Sequence, residues 1–501
     1  MIMKNTHSFT MASLMMFLLA VATPTAAPPA LASNTASEPC TAGSHQYDSQ
    51  NLNDMRPTTV RTTHAPIIIM GDAEFTSGNG VTGGTGTPHD PYVIENYDID
   101  AASADGIRIE NTSAHVVIRN CHIYNGVASG NCGVRMFNVA NAEVTDNLVE
   151  TCLIGASIKG ERLRVCNNTV RNNSYIGMYF TEVKDTLVWG NNGRENSHSD
   201  LYFVSSSYNM ICFNGIHSGG GQGMVISCAG TNLVSHNFYY NSGLDASCSV
   251  DHIISDNVFN ASKLTLQQFA TSSVENNTFS GVSEWAISSD ITTNSKIAGN
   301  RIVGFGVGIR MSNASGNRVF CNNVSDCQVG LTATNLSYTD IFMNEFRKNS
   351  GYAVSMSADT YYNRICKNNF ALNRGSGTTY DSSSIQASDL SGLNFWNTSG
   401  EGGAPGIGNH WRDWTSPDSD CDGRVDSPYN IDGTAGVSDR WPMALPLVIP
   451  DIARCFIPLC TGAATVLIFL LSAAYSTTRA RRLLDRHGFT RSRLYDISHD
   501  K

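Results

Sequence analysis

The sequence predicts an all-β fold, a parallel solenoid of about twelve coils with one coil per repeat, and three observations predict it. The first is a short pattern: Ile or Val, two residues, Asn, one residue, then an aliphatic or aromatic residue. It recurs in "EVTDNLV" (143–149), "RVCNNTV" (164–170), "IISDNVF" (253–259) and "RICKNNF" (364–370). The second is spacing. The pattern's Asn residues are Asn147, Asn168, Asn191, Asn214, Asn237, Asn257, Asn277, Asn300, Asn322, Asn344 and Asn368, and Cys121 takes the slot one repeat earlier. Successive members lie 20 to 26 residues apart, and a fixed period of this size in strand-like sequence is the mark of a solenoid. The third is composition. Only 15% of the residues are charged while Gly numbers 44, which suits short strands broken by many tight turns.

The elements follow in chain order. Lys4 precedes an apolar run, Met11–Ala22, and "ALAS" (30–33) offers a small-residue cleavage site, so residues 1–32 read as a signal peptide. Residues 33–64 are rich in Ser, Thr and Asn without periodicity and read as a flexible leader. "APIIIM" (65–70) is an opening strand, and the repeats occupy 65–397. Between successive Asn residues comes Gly followed by alternating apolar residues, as in "GIRI" (106–109), "GVRM" (133–136), "GMYF" (177–180) and "GIRM" (308–311). Each repeat therefore offers at least two strands. A leucine-rich repeat has a similar period but needs Leu-rich helical segments, which are missing.

In stacked coils, equivalent residues lie about 4.8 Å apart. The aliphatic residues flanking each Asn point inward as stacks. The Asn sits at a bend, where it tolerates left-handed geometry. Its amide bonds its equivalents above and below as a ladder. The Asn is structural.

Given these repeats, the sequence resembles the NosD-type β-helix repeat proteins, especially the archaeal surface members. Two further stretches carry the likeness: "NGVTGGTGTPHDPYVIENYDI" (79–99) and "GNHWRDWTSPDSDCDGRVDSPYNIDG" (408–433). The resemblance covers about residues 65–445. It implies a right-handed, single-stranded parallel β-helix of the pectin-lyase-like type, the hand that parallel crossovers generally take. It also raises copper-related accessory work, for which the family is named.

An open solenoid end exposes unpaired backbone and needs a cover. The segment 398–450, with Trp411, Trp414 and Trp441 and with Trp396 just before it, is suited to that role. The run "FIPLCTGAATVLIFLLSAAY" (456–475) carries no charge and is long enough to cross about 30 Å of hydrocarbon. Residues 451–475 thus read as a C-terminal transmembrane helix. The basic tail 476–501 is then cytoplasmic by the positive-inside rule, and the repeats lie outside the cell. The net charge of −10 argues against a nucleic-acid partner. Of the 14 Cys, most read as buried thiols, with one or two disulfides open; Cys321 and Cys327 are near enough in sequence to pair.

"DSDCDGRVD" (418–426) places Asp418, Asp420, Asp422 and Asp426 at positions 1, 3, 5 and 9 and Gly423 at position 6 of a calcium-type loop. The Arg424 carbonyl is a further ligand. Position 12 is Tyr429 rather than a bidentate Glu, so the alternative is a plain acidic turn. Calcium would lock the cap.

The middle residue of each Gly-led strand faces solvent and forms a stripe: Arg108, Arg135, Ser157, Tyr179, Tyr202 and Val225. Tyr pairs stack on sugar rings, and Arg holds uronates or sulfates; ordinary surface filling is the alternative. For catalysis, only Asp98, Asp100 and Asp105 near Arg108 form a loose candidate, and solvated turn residues are the competing reading. His217, His236 and His252 occupy different repeat positions. No catalytic residue is assigned. For copper, Met178 and Met224 fall in inward slots. Nine Asn-x-Ser/Thr sequons, among them Asn111, Asn260, Asn313 and Asn335, suit a glycosylated exterior. The resulting expectation is a membrane-anchored cell-surface protein, adhesive or structural, that binds carbohydrate or envelope components. The alternatives are a lyase or hydrolase acting on acidic polysaccharide, and a copper-related accessory protein.

Overall fold

The computed structural model describes residues 60–217, 221–398, 406–434 and 436–449. The expected signal peptide, transmembrane helix and basic tail fall outside the described residues. Among those described, no helix is long and apolar enough to cross a membrane.

The described strands form three parallel sheets and, in the cap, a two-stranded antiparallel one that pairs Tyr429–Asn430 with Ser438–Asp439. Sheet 1 has 15 strands, from Thr62–His64 to His410–Trp411. Sheet 2 has 15, from Ile67–Ile69 to Asp432–Gly433, and sheet 3 has 13, from Tyr92–Glu95 to Arg364–Cys366. Each coil visits sheets 3, 1 and 2 in turn, as in Ala142–Thr145, Leu148–Glu150 and Ile154–Glu161. Each strand pairs with its equivalents in neighbouring coils, so the chain is the expected single-stranded parallel solenoid. Its first strand, Thr62–His64, lies inside the segment read as a flexible leader.

Side chains alternate in and out of the coil, because successive residues of a strand point to opposite faces. Met178 and Phe180 are buried while Tyr179 between them is half-exposed. The interior contains coplanar aromatic stacks. Tyr239, Phe259 and Phe279 follow one another at 4.4 and 4.5 Å. Near the C-terminal end, Phe370, Trp411 and Tyr429 stack at 4.2 and 4.0 Å. Trp396 and Trp411 are buried under the cap, whereas Trp441 is exposed.

The Asn residues of the repeat line the corner between sheets 3 and 1, all buried. In each, Nδ2 and the backbone N–H donate to Oδ1 of the next; for Asn257 and Asn277 the two distances are 3.0 and 2.9 Å. The same Nδ2 also donates to a carbonyl one coil back, that of Val234 at 3.0 Å. Cys121 opens this run and Asn409 extends it beyond Asn368. The run ends on Asp439, whose carboxylate accepts from the Asn409 backbone and the Trp411 indole. Burial pushes the Asp439 carboxyl up to about 6.

Contrary to the sequence expectation, the ladder Asn does not hold the left-handed position at this corner. The residue before it does: Asp146, Phe213, Cys321 and Met343 all have φ between +55° and +58°. Asn is required for its amide, not for its backbone tolerance.

The other two corners carry ladders as well. Between sheets 2 and 3, Thr186, Asn209, Asn232, His252, Ser272, Ser295, Asn317, Thr339, Asn363 and Asn394 form one run, each backbone N–H donating to the next side chain. Between sheets 1 and 2 the ladder is broken. Asn196 donates to Asp200 at 2.7 Å instead of to a next Asn. Asp200 stands where neighbouring coils have Gly177 and Gly223, and its side chain fills the space above Gly193. Burial pushes its carboxyl up to about 7.

All described cysteines are free, so Cys321 and Cys327 do not pair here. Cys327 serves as the first member of a ladder segment, its N–H donating to Asn349 Oδ1 at 3.0 Å.

Candidate functional site

The outward column of sheet 2 joins the stripe residues in register. Ile68, Arg108, Arg135, Ser157, Tyr179, Tyr202, Val225, Asp245, Thr265, Ser288 and Arg310 are successive partners. Arg108 and Arg310 are nine coils apart, about 43 Å at ~4.8 Å per coil. Val225 departs from the expectation: its side chain is buried rather than open to solvent.

At one end of this column lies a groove of about 420 Å³ lined by Asp105, Arg108, Glu110, Arg135, Phe137 and Lys159 among others. Its cations are held by carboxylates. Arg135 meets Asp105 at 2.6 Å, Arg108 meets Glu110 at 2.6 Å, and Lys159 meets Glu182 at 2.8 Å. The Asp105 hydrogen bond raises the Arg135 guanidinium above its ordinary value. Lys159 also lies over Phe137, 5.3 Å from the ring centroid. The groove is a preorganised set of alternating charges with one aromatic wall.

Two coils further on, Tyr179 and Tyr202 meet edge to face, with centroids 5.7 Å apart and planes at 66°. They are therefore not the coplanar platform that stacking on two successive sugar rings would use. His198 enlarges the group, contacting the Tyr175 ring at 4.9 Å and the Tyr202 ring at 5.7 Å. Burial, and then the neighbouring Tyr179, raise the Tyr202 hydroxyl above its ordinary value.

Sequence reasoning missed a second cationic patch on the same sheet. Lys263 Nζ lies 5.1 Å and the Arg310 guanidinium 5.3 Å from the Trp285 ring centroid. Neither cation has an ion-pair partner among the described residues, and the Trp285 Nε1–H is buried without an acceptor. A cation over an indole face is attracted by the ring quadrupole, which keeps both side chains poised without neutralising them.

In the acidic loop, Asp418, Asp420 and Asp426 present oxygens within 4.8 Å of one another. Backbone donors shape this cluster: Gly423 N–H to Asp418, Asp422 N–H to Asp420, and Ser419 N–H to Asp426. Asp422 is not part of it; its carboxylate turns to Arg424 at 2.5 Å. Three hard oxygen donors suit Ca²⁺.

The loose catalytic candidate does not assemble. Asp98 and Asp100 lie on sheet 1, where Asp98 meets His122 at 3.3 Å and Asp100 accepts from Ala102 and Asn125. Asp105 meets Arg135, one coil after Arg108. The structure assembles a different titratable network on sheet 1. His122 sits between Asp98 and Glu150, the latter at 3.0 Å, and Glu150 pairs with Arg171 at 2.7 Å. Against the upward push of burial, Arg171 and His122 hold the Glu150 carboxyl below its ordinary value. Tyr124 stands 4.8 Å from His122, ring to ring. Desolvation pushes both His236 and His252 down to about 4.

Two family models match the chain. One, described as periplasmic copper-binding protein (NosD), covers residues 241–416, and one described as right handed beta helix region covers 105–259. No curated protein matches the chain. Solved structures match at low identity. The Dettilon tailspike protein is 15% identical with a TM-score of 0.39, over 52% of this chain and 60% of that one, less than two thirds of the tailspike's length. A double mutant of the periplasmic alginate epimerase AlgG is 14% identical with a TM-score of 0.37, over 62% and 86%. A mutant DFA-IIIase from Arthrobacter chlorophenolicus is 14% identical with a TM-score of 0.31, over 66% and 75%.

Among the described residues, the one group of three or more potential metal ligands does not fit the copper of the matching description. Met178 and Met224 are core residues, seven described cysteines are buried, and the carboxylate cluster offers hard donors only.

Proposed function

We propose that this chain, a right-handed β-helix repeat protein of the NosD type, binds anionic carbohydrate along the outer face of sheet 2. The observation that carries the reading is the pair of unneutralised cations, Lys263 and Arg310, held against Trp285 on a sheet whose outward column continues through Tyr202, Tyr179, Arg135 and Arg108. Sulfate or uronate groups would take charge-assisted hydrogen bonds from these cations. At the groove end, where cations and carboxylates alternate, ligand hydroxyls would be recognised alongside acids.

The face is presented outside a membrane on this reading, supported by the apolar run 456–475 and the basic segment after it. Ca²⁺ held by Asp418, Asp420 and Asp426 would stiffen the cap that closes the C-terminal end. A second reading, a lyase or hydrolase acting on acidic polysaccharide, is supported by the His122 network, where an imidazole between two carboxylates stands beside a Tyr ring and near an Arg.

One experiment separates these readings: a panel of neutral and acidic polysaccharides, with Ca²⁺ and with EDTA, scored for binding and for chain cleavage. Binding of acidic polymers without cleavage is expected. Cleavage lost in His122→Ala would replace the binding reading with the enzymatic one. Binding of neutral polymers alone would overturn the role given to the cationic patch. EDTA is expected to lower the unfolding temperature while leaving the sheet 2 affinity unchanged at temperatures where the protein stays folded.

A further inference from the structure

At the corner between sheets 2 and 3, one outward position recurs with left-handed backbone. Ser205, Cys228, Cys248, Gln268, Asn313 and Asn335 occupy it with φ between +46° and +51°. The strand register makes them equivalent: Val204 pairs with Ser227, Ser227 with Ser247, and Ser247 with Gln267. Equal backbone angles send equivalent side chains in the same direction, so those in consecutive coils lie side by side. Asn335 demonstrates the reach, its Nδ2 donating to Asn313 Oδ1 at 3.0 Å, and Asn138 does the same to Asn111 at 3.0 Å.

In two consecutive coils this position is Cys, and both are exposed. The Cys228 N–H donates to the Ser247 carbonyl at 3.0 Å, so the two turns are directly stacked. The Cys248 thiol donates to Gln268 Oε1, on the equivalent residue of the next coil, at 2.9 Å. By contrast, Cys121, Cys132, Cys152, Cys166, Cys212, Cys327 and Cys366 are buried.

We propose that Cys228 and Cys248 are a redox pair that closes into a disulfide, stapling two consecutive coils. Stacked coils hold equivalent Cα atoms about 4.8 Å apart, inside the roughly 4.4–6.8 Å that a disulfide spans. The oxidant is a disulfide, small-molecule or protein. One Cys thiolate attacks a sulfur of the oxidant, whose S–S bond breaks and releases one thiolate. The second Cys thiolate attacks the mixed disulfide, forming the Cys228–Cys248 bond and expelling the second thiolate. Two electrons pass to the oxidant, and the two cysteine protons end on its departing thiols. The staple closes a short loop and restricts the unfolded chain. It joins coils close to the place where the ladder between sheets 1 and 2 is interrupted at Asp200.

The test treats the folded full-length chain with oxidised glutathione, blocks remaining thiols, digests without reductant and maps the products by mass. The expected product is one intramolecular cross-link joining the peptides of Cys228 and Cys248. The oxidised protein should unfold at a higher temperature than the reduced one. Cys228→Ser should abolish both the cross-link and the temperature difference and leave glutathione on Cys248; Cys248→Ser should give the reciprocal result. Ser205 already occupies this position one coil earlier, so serine fits the turn. Glutathione on both cysteines of the wild type, or a cross-link between two chains, would overturn the proposal.

Discussion

The corner between sheets 3 and 1 and the outer face of sheet 2 are built by the same coils, yet they obey opposite rules. At the corner, one residue type repeats from Asn147 to Asn409, because each amide must satisfy the coil above and the coil below. On the outer face, the column runs Arg, Arg, Ser, Tyr, Tyr, Val, Asp from Arg108 to Asp245, because nothing in the stack constrains what points to solvent. Stability is spread along the corner, one bond set per coil, while recognition is concentrated at a few exposed positions. Changes at the first should unfold the protein, and changes at the second should leave it folded but unable to bind.

The largest expected effect lies at the corner. Asn257→Ala removes the acceptor for the Asn237 N–H and Nδ2, and the donor to the Val234 and Ser255 carbonyls. Buried groups left unpaired cost about 1–3 kcal/mol each, so a loss of roughly 3–5 kcal/mol is expected, read by denaturant unfolding. An effect below about 1 kcal/mol, the net worth of a single ordinary hydrogen bond, would show that the ladder does little to hold the coils together.

A smaller effect sharpens the contrast between ladders. His252 fills an Asn slot, its ring accepting the Asn232 N–H at 3.2 Å, and burial holds it at about 4. Because the folded form resists the proton more than the unfolded chain does, stability is full above the ordinary value near 6.5 and is lost as pH falls toward 4. His252→Asn restores the amide and removes that loss. The variant should gain roughly 2 kcal/mol over the wild type at about pH 5, with the gain vanishing at about pH 8, where the imidazole is neutral in both states. A pH-independent difference would rule out titration of His252 as the cause.

The smallest effect on stability is expected on the outer face. Tyr179→Ala with Tyr202→Ala should weaken acidic polysaccharide about threefold to tenfold, the range for aromatic contacts of about 0.5–1.5 kcal/mol, while the protein stays folded by circular dichroism.

The first ladder was legible in the sequence because, after Cys121, a single residue type fills its slot in each successive coil. The other two were hidden, because Thr, Ser, Asn, His and Gln all supply an acceptor there. The outward column could be counted by the two-residue period of a strand, and the register places Arg108, Arg135, Ser157, Tyr179 and Tyr202 in one line as counted. The burial of Val225 was not legible, since the period gives a direction but not what covers it. The Trp285 patch was hidden as well, because Lys263, Trp285 and Arg310 come from three successive coils and meet across columns. The ion pair of Asp105 was hidden for a related reason: Arg108 is near in sequence, but the partner is Arg135, one coil on.

The most direct measurement is the affinity of an acidic polysaccharide for the wild type and for Lys263→Gln with Arg310→Gln, taken beside their unfolding midpoints. Loss of charged hydrogen bonds worth about 1.5–3 kcal/mol each predicts at least about tenfold weaker binding, with the midpoint unchanged. Equal affinity in the two proteins would contradict a binding face built on these cations.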